Sequence, residues 1–376
     1  MTYDFTSIID RHGRDSIAVD FPPEVPEDGF DVIPMWVADM NFPTSPTIQK
    51  TIIERAKHPM FGYFMPSKEY YDSIIKWQTT RNGVTGLMAE HIGYENGVLG
   101  CVTSAVDAFS APGDYILLHS PTYIGFTSSL ENNGRRIIHS DLVQDEDGIW
   151  RMNYEDMEKK IQKYKIHMAV FCSPHNPCGR VWEREEIEKA MEIYKRNDCV
   201  VVSDEIWSDI ILYNNKHIPT QSISEDAKNR TIAIYAPSKT FNLAGLVGSY
   251  HIIYNKYLRD RVMAQSSKSH YNEVNVLSVH ALIGAYMPEG HVWVDELRQV
   301  LAKPQGTYML YLDCEEWCKN HNMSLDQLYK KGTDVGVMWQ DGRPFNRSYA
   351  IRINLALPKS KVIEAFERLD KYVFSV

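Results

Sequence analysis

Four polar signatures, each placed where an apolar run ends or a helix begins, hold the side chains best suited to chemistry. In Ala236-Pro-Ser-Lys-Thr-Phe-Asn242, which follows the run TIAIY, Lys239 stands in a stretch with no other charge. A lysine so placed can have a lowered pKa and act as nucleophile and base; the plain alternative is a solvated surface lysine. In Ser203-Asp-Glu-Ile-Trp207, Asp204 lies just past CVVV, where an uncompensated carboxylate is costly. A protonated heterocyclic nitrogen would compensate it; so would a helix start capped by the aspartate. In Ser173-Pro-His-Asn-Pro-Cys-Gly179, after MAVFC, the Asn176 side chain could donate to a phenolic oxygen, or Asn-Pro could simply mark a turn. Glu95-Asn-Gly-Val-Leu-Gly-Cys101 places small residues at a helix start, leaving backbone N–H groups open to a phosphate or forming only a Gly-rich loop.

The order of these signatures says more than any one of them. Asn176 and Asp204 are 28 residues apart and Asp204 and Lys239 are 35 apart, each room for one helix–strand crossover. One cofactor held by successive strand ends requires such spacing, because ligands of open α/β sheets bind beyond the carboxyl ends of the strands. The runs Tyr115–His119, Met168–Cys172, Val200–Ser203, Ile232–Tyr235 and Tyr250–Tyr254 read as buried strands of a mostly parallel sheet. Helical patterns cover Thr47–Ala56, Tyr70–Arg81, Ala105–Phe109, Tyr154–Tyr164 and Glu183–Arg196. The fold class is therefore α/β, a large α/β/α sandwich domain followed by a smaller α+β C-terminal domain. The expected divisions are an N-terminal arm over 1–46 joining the small domain, a large domain over 47–283 and a small domain over 284–376. The last holds helices at Val292–Leu301, Leu325–Lys331 and Lys359–Tyr372 and strands at Thr307–Asp313 and Ala350–Leu355. The cleft between the two domains is the expected site.

Composition removes other classes. A net charge of −9 without a dense Lys/Arg run argues against nucleic acid. The start MTYDFTSIIDRHGRDS lacks the pattern of a secretion signal, and no apolar stretch reaches membrane length, so a cytoplasmic location is expected. The six cysteines are scattered without C-x-x-C spacing and read as free thiols, with no metal site expected.

These motifs together resemble the class I/II aminotransferase superfamily of pyridoxal 5'-phosphate (PLP) enzymes, fold type I, over nearly the whole chain. Pro34-Met-Trp-Val-Ala-Asp-Met-Asn-Phe42, Phe61-Gly-Tyr63 and Lys239-Thr-Phe-Asn-Leu-Ala-Gly245 resemble the cystathionine β-lyase branch of MalY/PatB type more closely. Ordinary aminotransferases place an arginine after the lysine motif to grip the phosphate; here the stretch reads Gly245-Leu-Val-Gly-Ser-Tyr250, an absence shared by the lyase branch. The resemblance implies that Lys239 carries PLP as a Schiff base and also removes the α-proton. Asp204 would pair with the pyridine nitrogen, Asn176 with the ring phenolate, and Tyr123 would stack on the ring. Gly100, Cys101 and Ser238 would hold the phosphate, with Tyr63 reaching it from the other subunit of a homodimer. Arg352, in I-R-I-N, would grip the carboxylate of an amino-acid substrate, a task its planar fork suits, with Trp36 and Ala38 lining the substrate site. The implied activity is carbon–sulfur β-elimination from L-cystathionine or another cysteine S-conjugate. Transamination and a regulatory protein on the same fold are the alternatives. Two departures stand out: Trp207 replaces the Tyr or His frequent in relatives, and the passage from Glu296 to Tyr308 is short.

Overall fold

The apolar runs become strands in a computed structural model that describes residues 1–375. β1 (Ile92–Asn96), β2 (Tyr115–Ser120), β3 (Arg136–Asp141), β4 (Met168–Cys172), β5 (Val200–Asp204), β6 (Thr231–Tyr235) and β7 (Gly248–Ile252) form one seven-stranded sheet in the order β1-β7-β6-β5-β4-β2-β3. β7 runs antiparallel to both its neighbours, and the other pairings are parallel. Successive side chains enter opposite layers, as the two-residue period of a strand demands. Leu117, Ala169, Phe171 and Val201 pack with Trp182, Ile187 and Tyr194 on one face. Ile116, Leu118, Val170, Val202 and Ile234 pack with Cys101, Val102 and Val262 on the other.

Two strands of this sheet escaped the sequence reading, for physical reasons. β3 lies at the sheet edge and carries Arg136, His139 and Asp141; β1 contains Gly93 and Glu95. Neither shows an apolar run. The helix expected at Ala105–Phe109 begins seven residues earlier as α1 (Val98–Phe109), capped by Gly97 at φ 78°. The short helix α2 (Pro237–Thr240) follows β6 directly, with proline in its first turn, where a missing N–H costs nothing.

Beyond Ala285, α3 (Pro288–Val300) packs its Trp293, Val294 and Leu297 into the cluster holding Phe5, Trp77 and Phe241. A second sheet follows, with β8 (Met309–Asp313), β9 (Gln340–Asp341) and β10 (Ala350–Asn354) in the antiparallel order β8-β10-β9. Helices Leu325–Asp334 and Lys359–Leu369 cover it through Leu328, Ala365 and Leu369. The N-terminal arm joins this layer: Ile33 and Pro34 pair in parallel with Val337 and Met338. The short link between α3 and β8 is stitched to the loops beyond β4 and β5. Gly306 N donates to Gly179 O at 2.9 Å, and Leu212 N to Gln305 O at 2.8 Å. Among the described residues no helix is long and apolar enough to cross a membrane.

Candidate active site

β4, β5 and β6 end in register, with Cys172 opposite Asp204 and Asp204 opposite Ile234. Asn176, Asp204 and Lys239 therefore emerge side by side at the carboxyl edge of the sheet. Lys239 Nζ donates to Ala38 O at 2.8 Å and lies 5.7 Å from the centre of the Trp207 ring. Burial lowers its pKa to about 8, helped by the positive charge of Arg352 and opposed by Asp39 and Asp204. The helix that carries it is pinned one residue later, where Thr240 Oγ1 donates to Asp209 Oδ2 at 3.0 Å. Trp77 Nε1 donates to the same buried carboxylate at 3.1 Å, and Arg81 Nε lies 3.4 Å away.

Asp204 and its neighbour Glu205 are both buried carboxylates, yet their surroundings push them apart. Burial raises Asp204 to about 7, against the Ile206 N–H, which donates at 3.0 Å, and the Lys239 charge. For Glu205 burial also acts upward, but its partners outweigh it and hold the group below the usual range. Those partners are His217 Nε2 at 2.8 Å, Tyr235 OH at 2.6 Å, Ser203 Oγ at 2.9 Å and Thr220 N at 3.0 Å. Glu205 is thus a satisfied structural anion, whereas Asp204 is short of a donor.

Arg352 reaches the same cleft from β10. Its Nη1 donates to Asn176 Oδ1 at 3.2 Å, and its Nη2 donates to Gln340 Oε1 and to Trp36 O, the latter at 3.5 Å. The guanidinium lies 4.7 Å from the Phe345 ring centre. Burial lowers its pKa to about 10, and Nε is buried without a partner. Tyr123, immediately before the helix Ile124–Asn132, has its hydroxyl pKa raised by burial and feels the opposing charges of Arg352 and Asp204. Gly125 makes room for its ring: a Cβ there would lie 2.4 Å from Tyr123 Cε1.

The remaining expected residues divide. Ala38 supplies the carbonyl that accepts from both Lys239 and Tyr308 OH, the latter at 3.1 Å. Trp36 lends Arg352 its carbonyl while its indole donates to Ala18 O at 3.2 Å. Ser238 sits one residue before the lysine in α2. Gly100 is in the first turn of α1, against the Tyr271 ring. Cys101 N is already spent on Gly97 O at 3.3 Å, and its thiol lies with Glu95 and His251. The amides of Val98, Leu99 and Gly100 are the ones a helix start leaves unbonded. The arginine-free stretch passes beside this turn, since a Cβ on Gly97 would lie 3.5 Å from Val247 Cγ1. Tyr63 is fully exposed and lines a cavity it shares with Glu95 and His251.

Sequence reasoning missed Tyr308, Gln340 and Asp209. Trp207, which departs from the Tyr or His of relatives, is a buried wall: it meets Tyr308 edge-on at 4.7 Å. Gln340 faces Arg352 through the β9–β10 register, which a single sequence does not display.

The chain matches the family model for aminotransferase class I and II over residues 31–369 and belongs to that family. It is 35% identical over 333 residues to cystathionine beta-lyase PatB of Bacillus subtilis, covering 89% of this chain and 83% of the relative. Its fold matches cystalysin of Treponema denticola, which contains a pyridoxal 5'-phosphate cofactor, with TM-score 0.91, 30% identity and 99% of each chain covered. The PLP-bound C-S lyase of Staphylococcus hominis matches with TM-score 0.89 and 28% identity, over 99% of this chain and 98% of that one. The fold is that of fold type I PLP enzymes. The residues present fit this cofactor: a donor-poor buried Asp204 suits a pyridinium N–H, and a partly neutral Lys239 stands beside it. Asn176 gives only its oxygen to Arg352, leaving its amide N–H₂ to donate.

Proposed function

We propose that this protein is a PLP-dependent carbon–sulfur β-lyase that cleaves L-cystathionine or related cysteine S-conjugates to a thiol, pyruvate and ammonia. The observation that carries the reading is the convergence of Lys239, Asp204, Asn176 and Arg352 on one cleft, with Val247 rather than an arginine beside the Gly97 turn. The likeness to PatB and cystalysin supports it.

When bound, PLP supplies an electron sink that acidifies the substrate α-carbon and allows a group to leave from the adjacent carbon. Arg352 pairs with the substrate carboxylate, and Gln340 and Phe345 keep its fork oriented. Lys239 Nζ, held toward neutrality by burial and by Arg352, takes the α-proton. Asp204 holds the ring-nitrogen proton and Asn176 donates to the phenolic oxygen. Ser238, with the first turn of α1, holds the phosphate, joined by Tyr63 of a second copy in a cytoplasmic homodimer. The substrate would lie between the large lobe over 47–283 and the small lobe over 284–376.

Incubating the PLP-loaded protein with L-cystathionine and no keto acid tests this reading. Continuous release of pyruvate and thiol supports it; consumption of one substrate per cofactor and no more marks a transaminase.

A further inference from the structure

Beside the cleft, one buried cluster combines three side chains of metal-ligand type. Glu95 comes from β1, His251 from β7 and Cys101 from the first turn of α1. A donor atom of each lies within 4.8 Å of the other two, and all three residues are buried. His251 Nδ1 is 3.1 Å from Glu95 Oε1. Two ligands on a tetrahedral ion with bonds of about 2.0–2.1 Å stand about 3.3 Å apart, so this edge is already near its ligated length. Ser266 Oγ is 2.7 Å from the same carboxylate oxygen and can close a fourth position.

The cluster also holds unused polar capacity. Glu95 Oε2 is buried without a hydrogen-bond partner. An orphaned buried polar atom calls for a water, an ion or another explanation. The backbone makes space for the ring: His251 lies opposite Gly93 across β1 and β7, and a Cβ at Gly93 would stand 2.3 Å from the imidazole. Charges balance as well. One carboxylate and one thiolate neutralise a divalent cation, with a neutral imidazole as third ligand, which removes the penalty on a lone buried carboxylate. A cleft of about 960 Å³, bordered by Glu95, His251, Ser266 and Asn272, offers a route in.

We propose that Glu95, His251 and Cys101 bind a divalent ion of the zinc class, with Ser266 or a water as fourth ligand. The donor set of one sulfur, one nitrogen and one oxygen suits zinc rather than magnesium or calcium, which prefer oxygen. The ion would tie β1, β7 and α1 together beneath the turn whose amides face the cofactor phosphate.

The test uses the PLP-loaded protein, treated with chelator, equilibrated with Zn²⁺ and passed through gel filtration before elemental analysis. About one zinc per chain is expected to remain, with affinity falling roughly tenfold or more in His251→Gln and Cys101→Ser. Thermal unfolding and the cofactor's visible band check that each variant is folded. Should either fail to fold, the isosteric Glu95→Gln and the wild-type stoichiometry decide the matter by the same criterion. Wild-type protein retaining no zinc, or folded variants retaining it as tightly as wild type, overturns the proposal.

Discussion

Lys239 Nζ donates to the main-chain oxygen of Ala38 at 2.8 Å, across 201 residues of sequence. That bond couples the lysine turn to the arm segment that also touches Arg352 through Trp36 O. A second bond pair repeats the coupling: Asn242 accepts from Met40 N at 2.9 Å and donates to Met40 O at 2.8 Å. The lysine is therefore positioned by the N-terminal arm as well as by the strand it follows. Lys239→Ala is expected to abolish turnover and the visible band of the bound cofactor, read by absorbance. A surviving band places the attachment elsewhere.

The lowered pKa of Lys239 gives a pH test on the cofactor-free protein. Only the neutral amine attacks a carbonyl, and burial brings its pKa to about 8 from an ordinary 10.5. The rate of PLP capture, followed by stopped-flow absorbance, is expected to rise with pH and level off above about 8. A rate still climbing steeply at pH 10 contradicts the assignment.

Asp204 separates stability from binding. Its folded pKa, about 7, lies above the ordinary 3.8, so the folded state favours the protonated form. The associated stability is present below the unfolded value and is lost as pH rises through 7. At pH 8 the cofactor-free protein buries an ionised carboxylate, and Asp204→Asn is expected to raise its stability by about 1–4 kcal/mol. The same change would remove the proposed partner of the ring nitrogen, so PLP retention is expected to fall. Melting curves with and without cofactor check both signs; a loss of stability in both forms contradicts the account.

Much of this arrangement is legible in the sequence because it depends on strand ends. TIAIY, CVVV and MAVFC announce buried parallel strands, and the residue after each must lie at one edge of the sheet. Tyr308 and Gln340 are not legible in that way. Tyr308 reaches the cleft through a contact with Ala38, 270 residues away, and Gln340 through a strand register that sets it opposite Arg352. The edge strand β3 hides for another reason, since a strand with one free edge tolerates the charges of Arg136 and Asp141.

Arg352, the proposed carboxylate clamp, is held by Asn176, Gln340 and Trp36. Arg352→Lys keeps the charge and loses the fork. It is expected to cost about 1.5–3 kcal/mol, roughly ten- to a hundredfold in kcat/KM. Gln340→Leu frees the fork without removing it and is expected to raise KM more than it lowers kcat. Steady-state kinetics on both variants checks the ranking; equal losses contradict a positioning role for Gln340.

Thr240 fixes the lysine helix to Asp209 at 3.0 Å. Thr240→Val keeps the shape and removes the donor. Turnover is expected to fall several-fold with PLP still bound, while Asp209 keeps Trp77 and Arg81 as partners. Unchanged kcat would show that this tether does not position Lys239.

The proposed reaction is elimination at the β-carbon rather than exchange of an amino group. Pyruvate and thiol are to be counted from L-cystathionine with and without added keto acid, using PLP-loaded protein. Many equimolar turnovers per cofactor are expected, with no acceleration by the keto acid. A single turnover that stops, and resumes only when keto acid is supplied, would contradict the proposed reaction.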